Sequence, residues 1–275
     1  MNGPLLKALI YGDPGAGKTY LIGTAMECPE TRPVLVLDAK GQPITLRLFS
    51  PMPCVLPVDL QVLSRVYEWL AAGQPLDKAP TPVLAKYLEL YYAKYETESV
   101  ERRFRTVAID SLTYVQRLAQ KAVLTGGGSI VDPPTSMSYG EWGKILAIMT
   151  NIADAFYSLQ MNVVMTALAR RDELPTYGIT MITPFMWGQS SVEVPSYAEL
   201  VGYLVPVESP VVREVLGAKV EALKGTDTFN LLLTRGGRSH VAKWQGVRNP
   251  PHVIAAPTMA KLVTVLKGGG GGAPS

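Results

Sequence analysis

Cysteine is scarce in this chain: its 275 residues include two, Cys28 and Cys54, at a spacing that matches no metal-binding pattern. That argues against a disulfide framework or a structural zinc site, and it fits a reducing, intracellular setting. Long apolar runs are also missing, none approaching the ~18 residues that a membrane-spanning helix needs. The first residues lack the basic and apolar regions of a secretory leader. The expectation is a cytoplasmic protein with no membrane role. An excess of one charge is missing too, with 26 Lys and Arg against 23 Asp and Glu. A net charge of +3 leaves room for a local basic patch but does not by itself argue for nucleic acid.

What is present is an ordinary composition for a packed protein, 47% apolar and 18% charged. The length suits one sizeable core, two small ones being the alternative. Apolar, strand-like runs at residues 5–11, 34–37, 106–109 and 162–167 alternate with helical spacing at 60–72, 82–98, 112–124 and 141–159. Further sheet is read at 197–207, 228–234 and 241–244, and a closing helix at 258–266. The alternation implies a doubly wound α/β fold, a mainly parallel sheet flanked by helices. The helices of about 60–100 read as an insertion, and "KGGGGGAPS", 267–275, as a flexible tail. Two stretches, 125–140 and 169–191, read as long irregular loops.

The most specific signal is Gly12-Asp13-Pro14-Gly15-Ala16-Gly17-Lys18-Thr19, set between an apolar run and a helix start. Gly12, Gly17, Lys18 and Thr19 satisfy G-x-x-x-x-G-K-[ST]. In that pattern the glycines let backbone N–H groups converge on a β-phosphate, the lysine reaches the β and γ oxygens, and the hydroxyl ligates Mg²⁺. The loop and Tyr20 after it are the candidate nucleotide contacts. The run "TVAIDS", 106–111, ends in Asp110. On a strand next to the loop strand, this carboxylate would hold the magnesium together with Thr19, as a Walker B aspartate does.

With these motifs the chain resembles the RecA/RadA-like P-loop ATPases, and more closely the phage-type AAA nucleotide-binding proteins that include the Sak-type single-strand annealing recombinases. The resemblance rests on "GDPGAGKT", "VLVLDAKG", "FRTVAIDSLTYV", "NVVMTA" and "HVAKWQGVRNPPHVIAAPT", and runs from about residue 6 to 266. It implies a RecA-like core over 1–266 that binds Mg-ATP, assembles with itself into a ring or filament, and holds single-stranded DNA on two loops. A single-strand-binding protein is a further implied partner, and the setting is a bacterial or phage-infected cell. The two loops fall on 125–140 and 169–191. There Gly126, Gly127, Gly128 and Tyr139 could follow a strand, Arg170 and Arg171 could neutralise phosphates, and Tyr177, Phe185 and Trp187 could stack on bases. The competing reading is that the aromatics pack the loops onto the core and the arginines are merely solvated. Thr166, at the end of the fourth strand, falls where the family senses the γ-phosphate, a strand-end hydroxyl satisfying backbone being the alternative. Lys243 matches a family residue that reaches a neighbouring subunit's nucleotide. Gln245 stands where an arginine of that pattern is expected, and Arg248 is a substitute candidate.

Hydrolysis is the open point. The RecA-like pattern places a water-activating glutamate directly after a strand ending Asp-Ala, and the matching residues are Asp38, Ala39 and Lys40. Lysine is a cation at neutral pH and no base, and residues 39–58 contain no Asp or Glu. Three readings stand: Asp38 acts as the base, a glutamate such as Glu141 or Glu193 is brought in, or ATP is bound and turned over very slowly. A shifted register is the fourth. Lys40 could instead neutralise γ-phosphate charge.

The leading functional expectation is an ATP-dependent, oligomerising single-stranded DNA-binding protein acting in annealing or recombination, with weak hydrolysis. The alternatives are a P-loop nucleotide kinase, which would want a denser arginine lid than Arg170 and Arg171 supply, and an ATP-binding assembly factor with little catalysis.

Overall fold

The computed structural model describes residues 5–41, 43–95, 102–125, 137–174, 179–215, 218–233, 240–245 and 251–267. In chain order the first half holds β1 (Lys7–Gly12), α1 (Lys18–Gly23), β2 (Val34–Asp38), β3 (Cys54–Pro57), α2 (Leu60–Ala71), α3 (Pro82–Tyr95), β4 (Thr106–Asp110) and α4 (Leu112–Thr125). The second half holds α5 (Tyr139–Ser158), β5 (Asn162–Leu174), β6 (Ile179–Pro184), α6 (Ser190–Tyr197), β7 (Leu200–Val215), β8 (Ala218–Leu232), β9 (Lys243–Trp244), β10 (Val253–Ala255) and α7 (Met259–Leu266).

The strands lie in the order β10-β8-β7-β1-β5-β4-β2-β3, with β6 paired to β5 and β9 to β7. From β7 to β3 every pairing is parallel, whereas β8, β10, β6 and β9 join antiparallel. β1, β2 and the first four residues of β4 are buried along their length, as parallel strands covered on both faces must be. The crossover through α1 runs from β1 outward to β2, while those through α2–α3, α4–α5 and α6 run back. Right-handed connection therefore puts α1 on one face and the others on the opposite one. The contacts agree: α4 packs on α2 and α5, and α5 on α6, while α1 and α7 meet around the short turn Thr24–Glu27.

The mainly parallel α/β sheet flanked by helices is thus as expected, with corrections. β5 lies between β1 and β4, so Asp110 is not on a strand next to the loop strand. The stretch 169–191 is not an irregular loop: β5 runs on to Leu174 and pairs with β6 in a hairpin arm, Ala169 opposite Pro184 and Arg171 opposite Ile182, with α6 following. Of 125–140, residues 126–136 lie outside the described residues, and Ser138 already caps α5. β3 and β10 are additional strands, and β7 and β8 make a longer antiparallel pair than the sequence suggests.

One buried charge sits in this core. Lys7 enters β1 with its Nζ donating to the carbonyls of Leu159 and Met161, and burial pulls its pKa down to about 8, partly opposed by Glu199. An unfolded lysine titrates near 10.4, so between about pH 8 and 10 the unfolded chain binds more protons, and folding stability rises with pH across that window. Lys7→Met should flatten the rise, by up to about 1.4 kcal/mol per pH unit at most. Thermal unfolding of both proteins at pH 8 and 9.5 checks this; equal pH slopes contradict it.

Candidate functional site

Parallel strands in register end together, and here their ends carry the polar residues. Asp38 is level with Asp110 across β2 and β4, Ile109 with Met165 across β4 and β5, and Ile10 with Thr166 across β5 and β1. Asp38, Asp110 and Thr166 therefore share one row and, by the two-residue alternation of strand side chains, one face. The loop Gly12–Thr19 leaves β1 just beyond that row. Ligands of open parallel sheets bind at such carboxyl ends.

The loop is shaped by its small residues. A Cβ on Gly12 would lie 2.4 Å from the Leu204 carbonyl oxygen, so only glycine lets β1 and β7 approach this closely. Gly17 has φ +83°, in the left-handed region, which turns the chain into α1. Between them Ala16 N–H donates to the Asp13 carbonyl at 3.1 Å. Lys18 Nζ donates to the carbonyls of Gly12 and Asp13, both at 2.8 Å, and burial lowers its pKa to about 8 against the attraction of Asp110 and Asp13.

Asp110 is the junction of the site. Its Oδ2 accepts from Thr19 Oγ1 and its Oδ1 from Thr166 Oγ1, each at 2.6 Å. Thr166 is fully buried and spends its hydroxyl on this carboxylate rather than on backbone. Asp38 is 5% exposed; its Oδ1 accepts from Lys40 N–H at 3.0 Å, while its Oδ2 is buried without a hydrogen-bond partner, as is Ser111 Oγ. A cavity of about 340 Å³ gathers Pro14, Gly15, Lys18, Thr19, Asp38, Lys40, Asp110, Ser111 and Tyr114 on one wall-to-wall lining. The donors fit a magnesium ion, which takes hard oxygens and keeps several waters. Thr19 and Asp110 converge, and the orphaned Asp38 and Ser111 oxygens suit ordered water. Among the described residues no group of three His, Cys, Asp or Glu could hold a metal by itself, so a magnesium ion here would need water or a bound phosphate to complete its ligands.

A second cavity of about 300 Å³ opens on the β7–β8 side of the same loop, lined by Gly17, Tyr20, Leu21, Leu204, Phe229, Pro257 and Thr258 among others. Its chemistry is mostly apolar and aromatic. Of this set, only Gly17 and Tyr20 were candidate contacts in the sequence; Phe229 arrives from β8 without a motif, and Pro257 and Thr258 close the last stretch of the resemblance, which assigned them no role.

Other candidates are placed elsewhere. Asp13 of the loop makes a two-pronged ion pair with Arg171 of the β5–β6 arm, at 2.6 and 3.2 Å. Arg170 pairs with Asp172 at 2.5 Å. Trp187 packs edge-on against Phe185 and Trp142 of α5, and its backbone N–H donates to Gln116 Oε1 of α4, so this residue is braced against both helices. Tyr139 is 93% exposed at the start of α5. Glu141 is bound in a capping box with Ser138, and neither it nor Glu193 lines the cavity. Lys243 donates to the Ser196 carbonyl at 2.6 Å, and its strand residue pairs with Val201, toward the other end of β1 and β7. Arg248, Gly126, Gly127, Gly128 and Tyr177 lie outside the described residues.

Two substitutions probe the geometry. Lys18→Ala should weaken triphosphate binding by roughly 10- to 100-fold, the loss of a charge-assisted contact of about 1.5–3 kcal/mol, read by calorimetric titration with ATP. Thr166→Val removes the donor to the half-buried Asp110 Oδ1 and should cost about 1 kcal/mol of stability in denaturant unfolding. A neutral Thr166→Val would mean that the strand-end hydroxyl is dispensable to the carboxylate.

A family model described as an AAA domain matches residues 5–243. No curated protein matches the chain in sequence. Among solved structures, a RadB recombinase is similar at 14% identity, covering 84% of this chain and 80% of that one, with a TM-score of 0.33. A prototypical ATPase from the type III secretion system of pathogenic bacteria is similar at 15% identity, covering 72% and 51%, with a TM-score of 0.36. The flagellar accessory protein FlaH from Methanocaldococcus jannaschii is similar at 9% identity, covering 92% and 87%, with a TM-score of 0.32.

Proposed function

This chain belongs to the AAA domain family, and from that premise we propose that it binds Mg-ATP, assembles with itself on single-stranded DNA, and promotes annealing or recombination with slow ATP turnover. The observation that carries the nucleotide half is the junction at Asp110: one carboxylate holds the loop threonine and the strand-end threonine at 2.6 Å each, beside a buried Lys18. The phosphates lie along the loop, Thr19 and Asp110 hold the magnesium, and the apolar cavity beside Tyr20 and Phe229 takes the base.

Slow turnover is supported by which carboxylates line the cavity. Asp110 has both oxygens engaged, Asp38 is buried, and position 40 carries a cation. The DNA half rests on the RecA-like resemblance and on the exposed features that remain. These are Tyr139 at the head of α5 and the β5–β6 arm with Arg170 and Arg171, which leaves the sheet at its phosphate-binding end. Trp187 is not among them, being packed within the fold.

Two measurements decide. ATP with a single-stranded oligonucleotide should give large assemblies by light scattering; a monomer under those conditions contradicts the assembly reading. Wild-type turnover, with or without that DNA, should stay well below the ~1 s⁻¹ floor of ordinary enzymes, and Lys40→Glu should raise it. Fast wild-type turnover unaltered by Lys40→Glu contradicts the assignment of position 40.

A further inference from the structure

We propose that Lys40 is a specificity-determining residue that binds the terminal phosphate, so that the site selects a nucleoside triphosphate over the diphosphate. This rests on the nucleotide-binding reading of the loop and goes beyond it, since a phosphate loop by itself grips both nucleotides through the β-phosphate.

Four observations carry it. Lys40 lines the same cavity as Lys18, Thr19 and Asp110, and its side chain is exposed to that space rather than buried in the wall. Its backbone is fixed: its own N–H donates to Asp38 Oδ1 at 3.0 Å, and the preceding Ala39 N–H donates to the Asp110 carbonyl at 3.0 Å. Gly41 follows with φ +91°, a left-handed conformation that a residue with a Cβ adopts at a cost. The ammonium stands 5.5 Å from the centre of the Tyr114 ring, which Arg117 shares at 4.9 Å. No salt-bridge partner is recorded for it among the described residues. A cation held over an aromatic ring keeps its charge available to an anion that enters the cavity.

Its charge already acts on its neighbour, because Lys40 is one of the groups that work against the Lys18 ammonium. Two lysines facing one cavity repel one another, and an additional phosphate relieves the repulsion. The loop grips the β-phosphate, and Lys18, at the start of α1, reaches the β and γ oxygens from the β1 side; Lys40 comes from the end of β2, two strands beyond β5. The group it meets is therefore the one furthest from the loop. The difference between the two nucleotides is that terminal phosphate and its charge. Removing Lys40 should accordingly weaken the triphosphate and leave the diphosphate nearly as before.

The test uses the full chain and measures binding of ATP and of ADP, each with magnesium, by calorimetric titration. Lys40→Met should lower ATP affinity about tenfold, the worth of one charge-assisted contact, and change ADP affinity less than twofold. Lys40→Arg, which keeps the charge, should restore most of the preference. Circular dichroism of Lys40→Met should match wild type, as the side chain is exposed. Equal losses for ATP and ADP, or no loss for either, overturn the assignment while the nucleotide site stands. A wild-type protein that binds neither nucleotide overturns the loop reading itself, and this inference with it.

Discussion

Both oxygens of the Asp110 carboxylate are occupied by hydroxyls from distant parts of the chain, Thr19 at the start of α1 and Thr166 inside β5. An ionised carboxylate can only accept, so at a strand end close to the core it needs donors, and these two set the position of everything around it. Thr19 fixes the first turn of α1, and with it the loop, against the sheet. Thr166 fixes β5 as the strand between the loop and Asp110. Had β4 lain directly beside β1, the strand bearing Thr166 would have no place in the row, and the carboxylate would face the loop alone. The insertion of β5 and the satisfaction of Asp110 are one constraint seen from two sides.

Much of this was legible where the signal is local. The loop is eight consecutive residues whose chemistry depends on their own order, and it lies where the pattern requires. Asp110 was found because an apolar run ending in a polar residue marks the end of a buried parallel strand, whereas Asp38 and Thr166 were reached through the RecA-like resemblance. Strand order was not legible, since nothing within "TVAID" says which strand flanks it; that is decided by crossover handedness and by packing of α4 and α5. The β5–β6 arm escaped for a different reason. "ARRDEL" and "ITMITP" carry charge or mixed polarity on both faces, so no period of two reports a buried side. β3, four residues ending in proline, and α6, a helix containing Pro195, each carry a residue that normally argues against the element they form. The apolar cavity beside Tyr20 is assembled from β8 and the turn before α7, which only the folded chain brings to the loop.

The arm is tied to the loop it rises from. Asp13 receives both prongs of Arg171, and the same guanidinium acts electrostatically on Tyr203 of β7, whose ring stacks on Tyr11 of β1 at 5.2 Å. An exposed ion pair of this kind contributes little to stability, of order 1 kcal/mol or less. Its significance is geometric: a guanidinium on the outer arm and a carboxylate on the phosphate loop cannot move independently while the pair is kept. Phosphates bound on the loop, as proposed, would bring negative charge close to Asp13 and compete for the same arginine. Any rearrangement of the arm that frees Arg171 for another anion then bears on the loop, and the coupling runs in both directions because it is one equilibrium.

The distribution of charge at the strand ends sets what such a loop can do. Hydrolysis asks for a carboxylate that faces the attacking water, and this rim offers Asp110, already committed twice, and Asp38, whose free oxygen is enclosed. A cation at the rim in place of the usual glutamate changes the balance of the site in two ways. With Lys40 in the role proposed for it, the proton acceptor is withdrawn from the place where water would be activated, and attraction for the last phosphate would strengthen the bound triphosphate without lowering the barrier in proportion. Binding energy expressed equally in the ground state and the transition state does not accelerate a reaction. On the reading proposed above, a site arranged this way would keep its triphosphate for long periods, as suits a nucleotide that holds an assembly together rather than one that drives repeated strokes.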